Sequence, residues 1–375
     1  MIVFVRSYIA DFDARLGKYF QALDLADLPF SFIGWNKDGR QSGEAPGFRY
    51  YQRRARLGAG WANLLVLLGW NFYILRQLFA MRRQARVVHA VDLDTGLAAW
   101  IFCTIFRRKL VFDLYDKYTA VRGIGGLPGS LIDALERGIA RRAALTLIAS
   151  EERLRQHGLD PGWRNVMALE NVPQAEVGFT APPGARLPWK IGYFGVLEPR
   201  HRGLEDLLAV CGGRRDVEVH IAGYGGLADH VANAASRFAN VHFHGAMSSS
   251  AGLALMAGMD VLVAFYYLSV PNHAHASPNK YYEHLMLGRP LVTTQGTPPG
   301  GRIEAEGTGW ALREGRQSIA ALLDSLDAQQ ILRRGARARA LWDNKYASYL
   351  DQHYRGAYVA RIRLMLGSGA ADAVR

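Results

Sequence analysis

Cysteine is nearly absent: the 375 residues include two, Cys103 and Cys211. That count excludes a disulfide framework, and their separation does not suit metal ligation, so a reducing, cytoplasmic compartment fits. The opening Met-Ile-Val-Phe-Val is too short for the apolar part of a secretory leader and runs straight into Arg6, so no leader is expected. Forty glycines show no G-x-y period, which excludes a collagen-like repeat, and a hydrophobic share of 50% excludes a disordered chain. Acidic residues are the scarcer charge: 33 Asp+Glu against 45 Lys+Arg leave a formal +12. The scarcity is most local over residues 49–91, which hold eight arginines and no acid. A surplus of this size calls for an anionic partner: nucleic acid, a membrane surface or a phosphorylated substrate.

What the chain does have is a rhythm. Short β-branched runs at 2–5, 30–33, 87–90, 110–114 and 145–149 alternate with helix-length stretches such as 13–25 and 130–142. The pattern resumes with apolar runs at 191–194, 217–222, 241–244, 261–265 and 291–293, and with helical stretches at 203–210 and 278–287. Apolar strands alternating with helices predict parallel sheets covered on both faces. Residues 173–188, with Pro182-Pro183-Gly184 and no periodicity, read as a hinge between two such domains. The closing stretch 341–366 reads as an amphipathic helix.

One segment departs from the rhythm. Residues 61–75 (WANLLVLLGWNFYIL) are almost wholly apolar and flanked by Arg53, Arg54 and Arg56 on one side, Arg76, Arg82 and Arg83 on the other. Fifteen helical residues reach about 22 Å, short of a hydrocarbon core of about 30 Å, so a span is not expected. Two placements remain: a helix in the membrane interface with its arginines on anionic lipid, or a helix buried on the first sheet. The basic cluster flanks an aliphatic stretch rather than interleaving with aromatics, which favours lipid over nucleic acid.

Chemistry concentrates in Ser277-Pro278-Asn279-Lys280-Tyr281-Tyr282-Glu283, followed by Gly288-Arg289-Pro290. Ser277 suits an N-cap, Pro278 the first turn and Gly288 the C-terminal stop. A helix opening at the carboxyl edge of a parallel sheet, with Lys280 in its first turn, suits a diphosphate, and Glu283 one turn on suits ribose hydroxyls. Arg202 between a strand and a helix offers a planar fork to phosphate oxygens. Asp92, Asp113 and Asp116 fall at strand carboxyl ends, where a carboxylate can deprotonate an acceptor hydroxyl.

The Pro278–Glu283 pattern resembles the P-N-K-x-x-E donor-binding helix of glycosyltransferase family 4. Matches in order cover nearly the whole chain: Asp13-Ala14-Arg15 with Lys18, His89-Ala90-Val91-Asp92, Asn171-Val172-Pro173, Gly192-Tyr193-Phe194-Gly195 with Arg202-Gly203-Leu204, Ile221-Ala222-Gly223-Tyr224-Gly225, and Val241-His242-Phe243-His244-Gly245. The resemblance departs at His275, which stands eight residues before Glu283 where the family often has a first glutamate. It implies an α/β, GT-B fold of two doubly wound, Rossmann-like parallel-sheet domains facing a cleft. The domains would be 1–173 for the acceptor, with a membrane-surface segment at 49–86, a linker at 174–188, and 189–340 for the donor. A C-terminal helix at 341–375 would pack back across them. The donor site would comprise Gly195, Arg202, Gly223, Tyr224, Gly225, Ser277, Asn279, Lys280 and Glu283. Asp13, Arg15, Lys18 and His89 would lie on the acceptor side, and Asp92, Asp116, Arg202 and Lys280 nearest the chemistry.

The implied reaction moves a hexose from a nucleotide diphosphate-sugar to a saccharide acceptor, lipid-linked, in bacterial polysaccharide biosynthesis. Retention is the family habit; an inverting enzyme using Asp92 or Asp116 as base and a non-catalytic scaffold of the same fold are the alternatives. No tightly bound cofactor and no obligatory metal are expected. The partners would be the nucleotide-sugar, the acceptor and an anionic membrane on the cytoplasmic side, not nucleic acid. Two rivals are set aside. Gly223-Tyr224-Gly225-Gly226-Leu227-Ala228 matches a dinucleotide fingerprint, but no Asp or Glu lies between Asp229 and Asp260 to meet a ribose. Asp92-Leu93-Asp94 is a D-x-D of the GT-A type, which would leave the second half without a role. The pairs His242/His244 and His273/His275 lack a third ligand at a fitting spacing, which argues against zinc.

Overall fold

The computed structural model describes residues 1–37, 39, 46–54, 60–174, 182–184 and 186–371. The chain divides into two compact units, one made of Met1–Glu170 with Tyr349–Arg375, the other of Asn171–Ser348. Of the expected linker 174–188, residues 175–181 and 185 lie outside the described residues.

The first unit contains β1 (Ile2–Arg6), β2 (Phe30–Trp35), β3 (Phe48–Tyr51), β4 (Val87–Val91), β5 (Lys109–Leu114), β6 (Leu145–Ile148) and β7 (Val166–Ala168). They form a parallel sheet in the order β3-β2-β1-β4-β5-β6-β7. The second unit contains β8 (Trp189–Val196), β9 (Val217–Tyr224), β10 (Val241–Phe243), β11 (Val261–Ala264), β12 (Leu291–Thr294) and β13 (Gly309–Leu312). Their order, β10-β9-β8-β11-β12-β13, repeats the first six positions of the other sheet, again all parallel. Strands buried on both faces explain why the runs read as continuous apolar segments rather than alternating ones. In each sheet the winding reverses beside the first strand, between β1 and β4 and between β8 and β11. The carboxyl ends there are where open α/β sheets bind ligands.

Local chemistry sets the helix ends. Asp13 caps the helix Ala14–Asp24 by accepting from the backbone N–H of Arg15 and Leu16 at 3.1 and 3.0 Å. Gly288, at φ 61°, closes the helix Asn279–Leu287 in a left-handed turn that a Cβ would strain. The helix starts one residue later than the sequence suggested: Pro278 remains extended (φ −81°, ψ 148°), so Ser277 is not the N-cap. The closing stretch is helical, with wide π-type turns at Trp342–Tyr346 and Leu350–Tyr358 before a final helix, Val359–Ala371.

The apolar segment is the helix Gly60–Ala80, whose side chains are described from Leu65 onward; Arg56 lies outside the described residues. Neither expected placement holds for the whole helix. Trp70, Ile74 and Leu78 are fully buried in the core of the first unit, with the Trp70 indole N–H donating to Ser7 Oγ at 2.9 Å. Trp70 is therefore core and not an interfacial anchor. Leu65, Leu68, Phe72 and Phe79 stand 53–72% exposed on the opposite face. Among the described residues, no helix is long and apolar enough to cross a membrane.

Candidate active site

The donor-type residues of the second unit gather where its sheet reverses. At the end of β8, Gly195 has φ 153°, and a Cβ there would come within 2.6 Å of Lys280 Nζ. Next to it on β9, Gly223 has φ 147°, and a Cβ would overlap the Gly195 carbonyl. Both positions need glycine for conformation and for close approach, so backbone forms the floor of this corner. Gly225 shares the same positive φ, and Tyr224 beside it is 42% exposed. The Gly223 N–H donates to the Gly245 carbonyl at 2.8 Å, tying the loop to the next strand end.

Lys280 enters the corner from the first turn of the helix Asn279–Leu287, with Asn279 as the first helical residue. Its ammonium donates to the carbonyl of Phe194 and lies 5.4 Å from the centre of the Tyr193 ring. Burial lowers the Lys280 pKa, Glu283 one turn on opposes the shift, and the Arg202 charge adds to it. A site that strains to keep its cation is one that an anion would relieve. Pro278, the N-cap residue, has no side chain to cap the helix start, which suits a phosphate at its N–H groups. Arg202 stacks over Tyr266 at 4.9 Å and donates to Glu198 Oε2 at 3.1 Å. That ion pair is i, i+4 and its glutamate is 41% exposed, so it is weak competition for a diphosphate. Ser277 contributes through its carbonyl, which accepts from Asn171 Nδ2 at 2.9 Å.

In the first unit, Asp92 follows β4 in a conformation rare for a side-chain-bearing residue, φ 60° and ψ 171°. Strain of this kind costs about 1–3 kcal/mol and concentrates at functional positions. Its carboxylate accepts from Arg6, from the Tyr115 N–H at 2.9 Å and from the Asp116 N–H at 3.4 Å. Burial pushes the Asp92 pKa up to about 7; Arg6 opposes the shift, and Asp94 and Asp116 reinforce it. Arg6, at the end of β1, also donates to Asp13 Oδ2 at 3.1 Å and stacks on Tyr115 at 4.4 Å. The carboxyl ends of β1 and β4 thus hold one connected group: Asp13, Arg6, Asp92 and Tyr115. Sequence reasoning missed Arg6 and Tyr115. The signal was Arg6's place at the end of the first strand, informative only once β1 is known to neighbour β4.

Asp116 is 48% exposed and paired with Arg153 at 3.0 Å. Arg15, Lys18 and His89, expected on the acceptor side, lie inside the unit instead, at 5%, 3% and 0% exposure. Arg15 grips the fully buried Asp113 with Nε and Nη2 at 3.2 and 3.1 Å, and the Tyr19 hydroxyl donates to the same carboxylate at 2.7 Å. The Arg15 guanidinium and His89 hold the Asp113 pKa far below the usual carboxylate range, against the effect of burial. His89 Nδ1 meets the Tyr358 hydroxyl at 2.9 Å, and burial lowers the His89 pKa against the opposing pull of Asp113. Arg15, Tyr19 and Asp113 satisfy one another, as a buried polar network requires, and His89 Nε2 stands 3.4 Å from the same carboxylate. Asp94 of the D-x-D pairs with Arg122 at 3.7 Å rather than joining Asp92.

Two doubly wound parallel sheets in one chain define a class, and comparison with solved structures identifies it as GT-B. HepE of Anabaena, in complex with UDP and glucose, superposes with a TM-score of 0.64 at 16% identity, covering 94% of this chain and 97% of that one. Sucrose-phosphate synthase of Thermosynechococcus elongatus gives 0.67 at 14% identity, with 96% and 100% covered. The lipopolysaccharide outer core galactosyltransferase WaaB gives 0.63 at 12% identity, with 96% and 98% covered. Residues 188–328, within the second unit, match the family model Glyco_trans_1_4, glycosyl transferases group 1. A sequence comparison with curated proteins gives no match. The GT-B fold removes the GT-A reading of Asp92-Leu93-Asp94.

Proposed function

We propose that this protein transfers a hexosyl group from a nucleotide diphosphate-sugar to a saccharide acceptor. The observation that carries the reading is Lys280, held over Gly195 in the first turn of the helix Asn279–Leu287 with Arg202 nearby. When the bond between the anomeric carbon and the diphosphate breaks, negative charge builds on the leaving phosphate. Lys280, Arg202 and the helix N-terminus meet that charge. Gly195, Gly223 and Gly225 let the nucleotide approach backbone, with Tyr224, Ser277 and Asn279 around it, and Glu283 accepts from the ribose. The complexes of HepE with UDP and with UDP-glucose support a uridine nucleotide as the first donor to try. Titration calorimetry with UDP and GDP, followed by a transfer assay, tests the reading; a chain that binds neither nucleoside diphosphate sinks it.

Stereochemistry has two readings. Retention rests on the family resemblance and needs no enzymic base, because the leaving phosphate takes the acceptor proton. Inversion is favoured by Asp92, whose strained backbone and pKa of about 7 suit a carboxylate that takes that proton itself. The anomeric configuration of the product, read by NMR, decides between them. Arg15, Lys18 and His89 are assigned to holding the first unit together, and Asp13 to positioning Arg6.

The acceptor is a lipid-linked saccharide, and the protein works on the inner face of the cytoplasmic membrane. Support comes from the stripe of Leu65, Leu68, Phe72 and Phe79, together with Arg53, Arg54, Arg76 and Arg83, all exposed. Exposed apolar side chains among arginines complement an anionic bilayer on both counts. Sedimentation with phosphatidylglycerol vesicles, against phosphatidylcholine vesicles as control, tests this part separately.

A further inference from the structure

The histidines that looked incomplete in sequence acquire partners in the second unit. His220 on β9 lies in register with His242 on the edge strand β10. Strand periodicity puts Glu218 on the same face as His220, two residues before it. The rings of His220 and His242 stack at 4.6 Å, and His244 stacks on His220 at 5.4 Å. One ligand atom each from Glu218, His220 and His242 lie within 4.8 Å of one another. His220 Nε2 is shielded from solvent, has no hydrogen-bond partner among the described residues and sits 3.8 Å from Glu218 Oε2. The other ring nitrogen, Nδ1, meets His244 Nε2 at 3.1 Å.

From this geometry we infer a binding site for one divalent transition-metal ion of the zinc type. Glu218, His220 and His242 are its ligands, and His244 is the partner that orients His220. Ligand atoms about 2.0–2.2 Å from a tetrahedral zinc ion stand roughly 3.4 Å apart, so the observed spacing closes by side-chain rotation alone. Two imidazoles and a carboxylate suit zinc, cobalt, nickel or copper rather than magnesium or calcium. A ligating imidazole needs a fixed tautomer, and a hydrogen bond between His220 Nδ1 and His244 supplies it by leaving the lone pair on Nε2. Three protein ligands leave a fourth position for water. The ion ties β10, an edge strand with one neighbour in the sheet, to β9, whose carboxyl end carries Gly223 and Gly225. The site does not depend on the reaction proposed above.

The test uses the full chain, stripped with a chelator and titrated calorimetrically with zinc chloride at neutral pH. Binding of about one equivalent is expected, weakened about tenfold or more by His242→Ala and by His220→Ala, and about 10–100-fold by His244→Ala. Cobalt(II) should give the visible absorption of a low-coordinate nitrogen–oxygen site, lost in His242→Ala. If His242→Ala melts early without metal, His242→Gln, which keeps a polar side chain of similar reach, replaces it. Failure of the wild-type chain to bind one equivalent overturns the site, as does unchanged affinity in both ligand variants. Unchanged affinity in His244→Ala removes its orienting role.

Discussion

At the reversal of the first sheet, Arg6, Asp13 and Asp92 engage one another as a largely buried charged group. At the matching point of the second sheet, glycines open the backbone and two cations, Lys280 and Arg202, stand beside it. The two sheets share a strand order, so topology alone explains neither arrangement. Side chains that hold and move a proton need a fixed electrostatic setting, which Arg6 and burial give Asp92. A diphosphate needs room along the main chain and positive potential, which glycines, a helix start and a lysine provide. On the proposed reading, the same winding serves two chemistries by changing a few residues after the strands.

The comparison breaks most sharply at Asp92. Asp92→Asn should lower kcat by about 10²–10⁴-fold while nucleoside diphosphate affinity stays unchanged, if the first unit handles the proton. A variant with full turnover and inverted product would deprive Asp92 of the base role. On the other side, Lys280→Ala should lower kcat by about 10²–10³-fold by removing charge stabilisation in the transition state. Unchanged turnover at saturating donor would take Lys280 out of the site. Gly223→Ala tests the claim that the second unit works through backbone: the strained φ should cost about 1–3 kcal/mol of stability, read by urea unfolding, and weaken donor binding with it.

The pH dependence sharpens the contrast further. Asp92 has a folded pKa raised to about 7 against an ordinary 3.8, so the fold binds its proton more tightly than the unfolded chain does. Its contribution to stability is present in full below about pH 4 and is lost as pH rises through 7. If Asp92 is the base, kcat should move the opposite way, rising toward a plateau above about pH 7, and Asp92→Asn should flatten the profile. The smallest effect on stability is expected from Leu68→Ser with Phe72→Ser, within about 0.5 kcal/mol because both side chains are exposed. That pair should nonetheless release the protein from phosphatidylglycerol vesicles. By contrast Trp70→Ala, on the opposite face, should cost about 3–5 kcal/mol.

Most of the strands were legible because burial on both faces turns a parallel strand into an unbroken apolar run. Those missed, β3, β7 and β13, are short, with Phe48-Arg49-Tyr50-Tyr51, Val166-Met167-Ala168 and Gly309-Trp310-Ala311-Leu312 lacking a β-branched run. The helix Asn279–Leu287 was legible to within one residue, since Pro278 and Gly288 bracket it. The fates of Arg15 and His89 were not, because a charged residue on a helix or at a strand end looks the same whether it meets water or a buried Asp113. Helix Gly60–Ala80 failed in the same way: its composition is apolar nearly all round, and only packing shows which face is covered.

By itself the sequence determined the alternation of elements, the existence of a glycine- and cation-rich corner near Lys280, and the uneven placement of positive charge. These depend on neighbours within a few residues, where propensity, capping and periodicity act. Tertiary structure alone decided that Arg6 serves Asp92, that Trp70 is core while Phe72 is surface, and that His220 completes the pair His242 and His244. Those outcomes join residues 22 to 86 positions apart, and strand order, not local sequence, sets which of them meet.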